Sequence, residues 1–170
     1  RHVAGTLLGK PELTTIWPIR VLLLKTGRPS TPALSRDAYI SALAANAPVP
    51  REWLRECIRI LIDSNARRMP AEIEAGLADF YSTATVKRTI ITLGVPLPPA
   101  ERNPGWAKVH LLTVDPEYYG KLRVLLYNLQ QGADPDPAYR NAFGKTPDVI
   151  DKEAAAYLAA GKFSTITLSG

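Results

Sequence analysis

Apolar residues recur along this chain with changing periods, and each change marks a new element. The run Trp17, Pro18, Ile19, Arg20, Val21, Leu22, Leu23, Leu24, Lys25 is aliphatic and β-branched and stops at Gly27-Arg28-Pro29. A short apolar run bounded by turn residues predicts a core strand. A second strand is predicted over residues 36–43, ended by the turn at residues 46–50 with its two prolines. After Pro50 the spacing becomes one, three and four: Trp53, Leu54, Cys57, Ile58, Leu61 and Ile62 form one broad stripe. That is the pattern of an amphipathic helix, here expected to run to about Asn65. Pro70 then takes a first-turn position, Glu72 and Glu74 supply negative charge where the peptide dipoles favour it, and Ile73, Leu77, Phe80 and Tyr81 mark one face. A second helix through Tyr81 follows.

Residues 83–94 are rich in β-branched side chains around Lys87-Arg88, which predicts a hairpin turning near that basic pair. Pro96, Pro98 and Pro99 end it, and the stretch from Pro96 to Pro104 is the best candidate for an internal linker. Beyond it the signals are helical, over residues 106–113, 116–131, 137–143 and 147–160, each opened or closed by proline, glycine or an acidic cap such as Asp115 or Asp148. The tail from Phe163 to Leu168 alternates and is expected as a short strand or an extended arm. No internal repeat interrupts this order. The whole predicts an α+β fold over residues 1–170 as one domain: a small mixed or antiparallel N-terminal sheet, two adjacent helices packed on it, and a helical C-terminal half.

With 46% hydrophobic and 22% charged residues among 170, the composition is that of a globular chain, and disorder, collagen-like repeats and coiled coil are excluded. No apolar run approaches the ~20 residues of a membrane helix. The sequence begins at Arg1 without the order of an export signal, an absence that a trimmed sequence would share. The single cysteine, Cys57, rules out an intramolecular disulfide and, falling on the buried stripe, reads as a small core hydrophobe. The net charge of +5 is mild. Its densest basic stretch sets Arg51, Arg55, Arg59, Arg67 and Arg68 against Glu52, Glu56 and Asp63, which suits a solvated helix as well as a phosphate track. Two histidines, His2 at the terminus and His110 in an apolar helical setting, offer too few ligands for zinc, haem or copper. Gly5, Gly9 and Gly27 are scattered outside any strand-to-helix turn, so no phosphate loop is present. Trp17, Trp53 and Trp106 each open an element and are expected to anchor the core.

One resemblance organises the candidate chemistry. The stretch from Arg55 to Ile62, with the one from Pro70 to Ser82, resembles the two zinc-site helices of the gluzincin, or peptidase MA-like, metallopeptidases. In that family the first helix carries H-E-x-x-H, two histidine ligands one turn apart with a glutamate that activates the metal-bound water. The second helix carries W-L-N-E-G-L-A-E and an aromatic residue, its first glutamate being the third ligand. Laid on that template, Arg55 and Arg59 stand at the histidine positions, Glu56 at the general-base position and Ala75 at the third-ligand position, while Gly76-Leu77-Ala78 matches unchanged. Asp79 falls where some members place a carboxylate that orients a histidine. The stretches Trp106 to Leu112 and Ala138 to Lys145 are similar to the family's closing helix pair, so the matching pieces span about Trp17 to Lys162.

The resemblance implies a pseudo-metallopeptidase without zinc or another cofactor, kept as a binding or scaffolding module for an extended peptide or a protein. It also implies an extracytoplasmic bacterial setting, since members of the family are often exported. It further implies that Arg55 or Arg59 bonds directly to Asp79, or failing that to Glu72 or Glu56, in the space the metal would fill. Two other readings stand beside it. Glu56 with Asp79 or Glu72 could form a carboxylate pair for hydrolysis, although flanking arginines hold carboxylates ionised. The basic excess could serve a nucleic acid, without a recognised motif to support it.

Overall fold

The computed structural model describes residues 8, 10, 12–66 and 68–169; His2, Gly5, Gly9 and Arg67 lie outside the described residues. The fold is α+β, with a small N-terminal sheet, a second small sheet and a helical C-terminal half. The first sheet holds β1 (Ile19–Leu24), β2 (Ser30–Ser35) and β3 (Ala38–Ala44) in the order β1-β3-β2. It is mixed: β1 runs parallel to β3, Ile19 opposite Tyr39 and Leu24 opposite Ala44, while β2 runs antiparallel to β3.

Two expectations fail here for physical reasons. Strand β1 is not a core strand. It lies at the sheet edge, where Val21, Leu22 and Leu23 are 39, 57 and 71% exposed, because among the described residues only β3 flanks it. The sheet's buried positions are instead Pro32 of β2 and Ala38, Ser41 and Leu43 of β3. Strand β2 is not among the elements expected from the sequence; it lies at a sheet edge, where the missing N–H of Pro32 costs no ladder bond. Arg36 and Asp37, placed by the pattern inside the second strand, are the two-residue turn between β2 and β3, and Arg36 takes the left-handed conformation that the turn requires (φ 50°).

Helix α1 (Arg51–Asn65) follows the predicted stripe and buries Cys57, Ile60 and Ile62, with its flank against β2. Helix α2 (Ala71–Ser82) begins one residue later than expected, Pro70 being the extended residue before it rather than part of its first turn. The hairpin of β4 (Thr85–Lys87) and β5 (Ile90–Leu93) turns on Arg88 and Thr89, with Arg88 left-handed (φ 56°). The tail forms β6 (Ile166–Ser169), antiparallel to β5, and completes a second sheet in the order β4-β5-β6.

A 3-10 turn at Pro99–Glu101 leads into α3 (Pro104–Val114), whose first turn is capped by the Asn103 side chain accepting from the Trp106 N–H at 2.9 Å. Helix α3 is apolar on almost every side and is accordingly central, with Trp106, Val109 and Leu112 fully enclosed. It is followed by α4 (Leu122–Gln130), α5 (Pro135–Phe143) and α6 (Pro147–Ala160). Residues 116–121, expected as the start of a longer helix, form turns instead. One cluster of buried side chains runs from Ile62 to Ala154 and includes Leu93 and Leu97, so the proline-rich stretch crosses the core rather than standing apart from it. Among the described residues, no helix is long and apolar enough to cross a membrane.

The crossing of α2 and α3 is unusually close. A Cβ built on Gly76 would overlap the Gly105 carbonyl oxygen, well inside van der Waals contact distance, and would lie 2.7 Å from Val109 Cγ2. Only glycine permits this approach, which brings the N-terminal end of α3 and its capping Asn103 beside Asp79.

Candidate functional site

Four-residue spacing sets Arg51, Arg55 and Arg59 along one side of α1, and they meet acceptors from α2 and from the turn before α3. Asp79 is the focus. It is 7% exposed, and its Oδ1 accepts from Arg55 Nε at 2.6 Å and lies 3.7 Å from Arg51 Nη1. Its Oδ2 accepts from Asn103 Nδ2 at 3.3 Å. Arg51 also donates to Ser82 Oγ at 3.3 Å and forms an ion pair with Glu101 of the 3-10 turn. The carboxylate therefore sits among charged donors from α1 and a neutral donor at the cap of α3, which compensates its removal from water.

Arg59 does not reach Asp79. Its Nε faces Glu74 Oε1 at 3.4 Å and its Nη1 faces Glu56 Oε2 at 3.5 Å, one residue on its own helix and one on α2. Glu72 turns the other way, toward α3, where its carboxylate accepts from Lys108 Nζ at 2.9 Å. Lys108 is also paired with Asp151 of α6, and its own side chain is only 5% exposed. Of the residues singled out from the sequence, Arg55, Arg59, Glu56 and Asp79 are thus brought to one region, with Ala75 half-buried on the intervening turn of α2, and Glu72 belongs to a different ion pair.

Arg51, Glu74, Ser82, Glu101 and Asn103 were missed as members of this cluster. Arg51 had a signal, being one turn before Arg55 on the same face. Glu74 was read only as a favourable helix start, and Asn103 precedes Pro104 as a cap would. Glu101 and Ser82 had no local signal.

These residues do not fit a zinc ion. A guanidinium has no free electron pair to offer, Ala75 has no donor, and the oxygens of Glu56 and Asp79 already face Arg59 and Arg55. No hydrolytic step through a metal follows from this donor set. The region is nonetheless concave: an open cleft of about 440 Å³ is lined by Thr31 of β2, by Arg51, Glu52, Arg55 and Glu56 of α1, and by Asp79 and Glu101.

The remaining candidates lie in packed surroundings. Burial, reinforced by the Glu56 charge, pushes the Cys57 thiol up to about 11, which leaves it protonated and unreactive at neutral pH. His110 is fully buried, and burial holds its pKa below the usual imidazole range. Of the three tryptophans only Trp106 is a core anchor; Trp53 is half-buried and Trp17 is 39% exposed, since it precedes the edge strand. Compared with protein-family models, with curated proteins and with solved structures, the chain finds no match.

Proposed function

We propose that this domain is a non-catalytic pseudo-metallopeptidase module that holds an extended peptide, or an extended segment of a protein, in the cleft between β2 and α1. The observation that carries the reading is the Arg55–Asp79 ion pair. It lies at the positions where the resemblance would put a catalytic centre, beside a cleft that remains open. One wall of that cleft belongs to β2, which pairs only with β3 among the described residues and so keeps one edge of unpaired backbone groups. An added strand satisfies such an edge with main-chain hydrogen bonds, and neighbouring side chains then select the sequence.

The permanent charge of the guanidinium suits positioning rather than proton transfer, because arginine does not titrate near neutral pH. Asp79, engaged by Arg55 and Asn103, has its acceptor capacity directed into the protein. Binding without turnover is what such a set can do.

A peptide library titrated into isotope-labelled protein tests the reading. Binding peptides are expected to shift the amide signals of residues 30–35 and the Arg55 Nε signal, with the peptide recovered intact. Shifts confined to other surfaces, or no binder in a broad library, would remove the peptide-binding reading. Stoichiometric zinc in metal-stripped and re-supplemented protein, or metal-dependent peptide cleavage, would remove its non-catalytic part.

A further inference from the structure

A second polar centre, away from the arginine cluster, ties the C-terminal strand to the core through one imidazole. His110 is 0% exposed and sits on α3 under the rings of Phe80, Trp106, Tyr157 and Phe163, with centroid separations of 4.9–5.7 Å. Its Nε2 is 2.9 Å from the carbonyl oxygen of Gly94, the residue that follows β5, and its Nδ1 is 2.9 Å from the Tyr157 hydroxyl of α6. A carbonyl can only accept, so Nε2 carries the proton, and Nδ1 is left to accept from Tyr157. The ring of Phe163, in the segment that leads into β6, packs on the imidazole with a centroid separation of 5.5 Å. The bonds form one directed chain, from the Tyr157 O–H to His110 and from the His110 N–H to Gly94.

That chain, with the Phe163 ring packed on its imidazole, lies where the two strands join the core. Phe163 and Ser164 lie three and two residues before the start of β6, Gly94 immediately follows β5, and β6 is held in its sheet by β5 alone among the described residues. A second proton on His110 would turn Nδ1 into a donor, so that the Tyr157 O–H has to turn away from it and the direction of that bond reverses around a buried cation. The groups around the ring that titrate or carry charge are Tyr157 itself, Tyr81 in edge contact with Phe80, Asp115 acting on Tyr157, and Arg102, whose guanidinium lies 4.8 Å over Phe163. Among the described residues no carboxylate is hydrogen-bonded to the imidazole, so an imidazolium there has no direct counter-charge.

We propose that protonation of His110 releases the C-terminal strand, so that β6 is an acid-sensitive latch on β5 while the helices stay folded. The sign follows from burial: the closed form holds the neutral imidazole and the open form takes the proton. The latch is therefore fully held above the ordinary histidine range near pH 6.5 and weakens as the pH falls below it. Opening would bare the β5 edge and the aromatic box, a second surface able to take an added strand.

Amide exchange of the full chain, corrected for its intrinsic pH dependence, tests this between pH 7.5 and pH 5. Exchange at residues 166–169 and 90–93 is expected to quicken by about tenfold or more, the ratio equivalent to one pH unit of linkage, while α3 and α4 keep their protection. The His110→Gln variant keeps a donor and an acceptor but gains no proton, and its strand exchange is expected to lose the pH step. Should that variant fail to fold, the ring signals of His110 in the parent chain serve instead: their titration must coincide with the exchange step. Unchanged strand protection at pH 5, a step without a matching His110 titration, or loss of strands and α3 together would each overturn the latch.

Discussion

Arg55 and Asp79, 24 residues apart and on different helices, are joined through Nε and Oδ1 at 2.6 Å, with the arginine side chain 34% exposed and the aspartate 10%. The asymmetry in exposure decides the cost of breaking the pair. Losing the arginine strands a nearly buried carboxylate, whereas losing the aspartate frees a cation that water can reach. Arg55→Met is expected to cost more than Asp79→Asn, between the ~1 kcal/mol of an exposed pair and the ~3–5 kcal/mol of a buried one, with Arg51 recovering part of the loss. Urea unfolding of both single variants and the double variant reads the coupling; additive effects would mean that the two groups do not interact.

Lys108 reverses that order. Its side chain is 5% exposed while its partners Glu72 and Asp151 are about half exposed, and both carboxylates hold its pKa above the usual lysine value despite burial. Lys108→Met leaves two carboxylates that water can solvate and is expected to cost ~1 kcal/mol or less, since an apolar residue suits the site. Glu72→Gln with Asp151→Asn leaves a buried cation without a counter-charge and should cost several times more, to about 3 kcal/mol or beyond. Thermal melts of the two proteins at neutral pH give the comparison directly.

Replacing Gly76 by alanine would stabilise an ordinary helix by ~1 kcal/mol. Here the added methyl meets the Gly105 backbone, which cannot rotate away as a flexible side chain could, and overpacking of this kind costs about 1–3 kcal/mol or more. Gly76→Ala is therefore expected to lower the melting temperature. A rise would show that α2 and α3 can separate without cost.

Cys57 should resist thiol reagents. With a pKa of about 11, only about a thousandth of it is thiolate at pH 8, against roughly a quarter for a free cysteine. Disulfide-exchange labelling at pH 8 should be slow until denaturant is added and then proceed at once; fast labelling of the native protein would contradict its burial.

Helical periodicity carried much of the architecture into plain view. Trp53, Leu54, Cys57, Ile58, Leu61 and Ile62 mark α1, Ile73, Leu77 and Phe80 mark α2, and Pro147 with Gly161 bounds α6, because a helix forms its backbone bonds within its own segment. The same periodicity put Arg55 and Arg59 on one face before any partner was known.

Which of the two arginines reaches Asp79 was not legible, since each is a long side chain with several acceptors in range. The choice rests on the depth at which α1 crosses α2, and so on packing from elsewhere in the chain. Arg59 stops at Glu74 and Glu56, and of the two it is Arg55 that bonds directly to the aspartate. Glu101 and Asn103 come to the cluster from beyond the second hairpin, carried there by the glycine contact between α2 and α3. Strand β1 shows the same limit. Its run Ile19 to Leu24 has the composition of a core strand, yet its exposure depends on strand order and on what lies against the sheet. Sequence determined the elements whose bonds are local; strand order, edge exposure and the pairing of charges needed the tertiary structure, because they depend on atoms that the chain brings together from far apart.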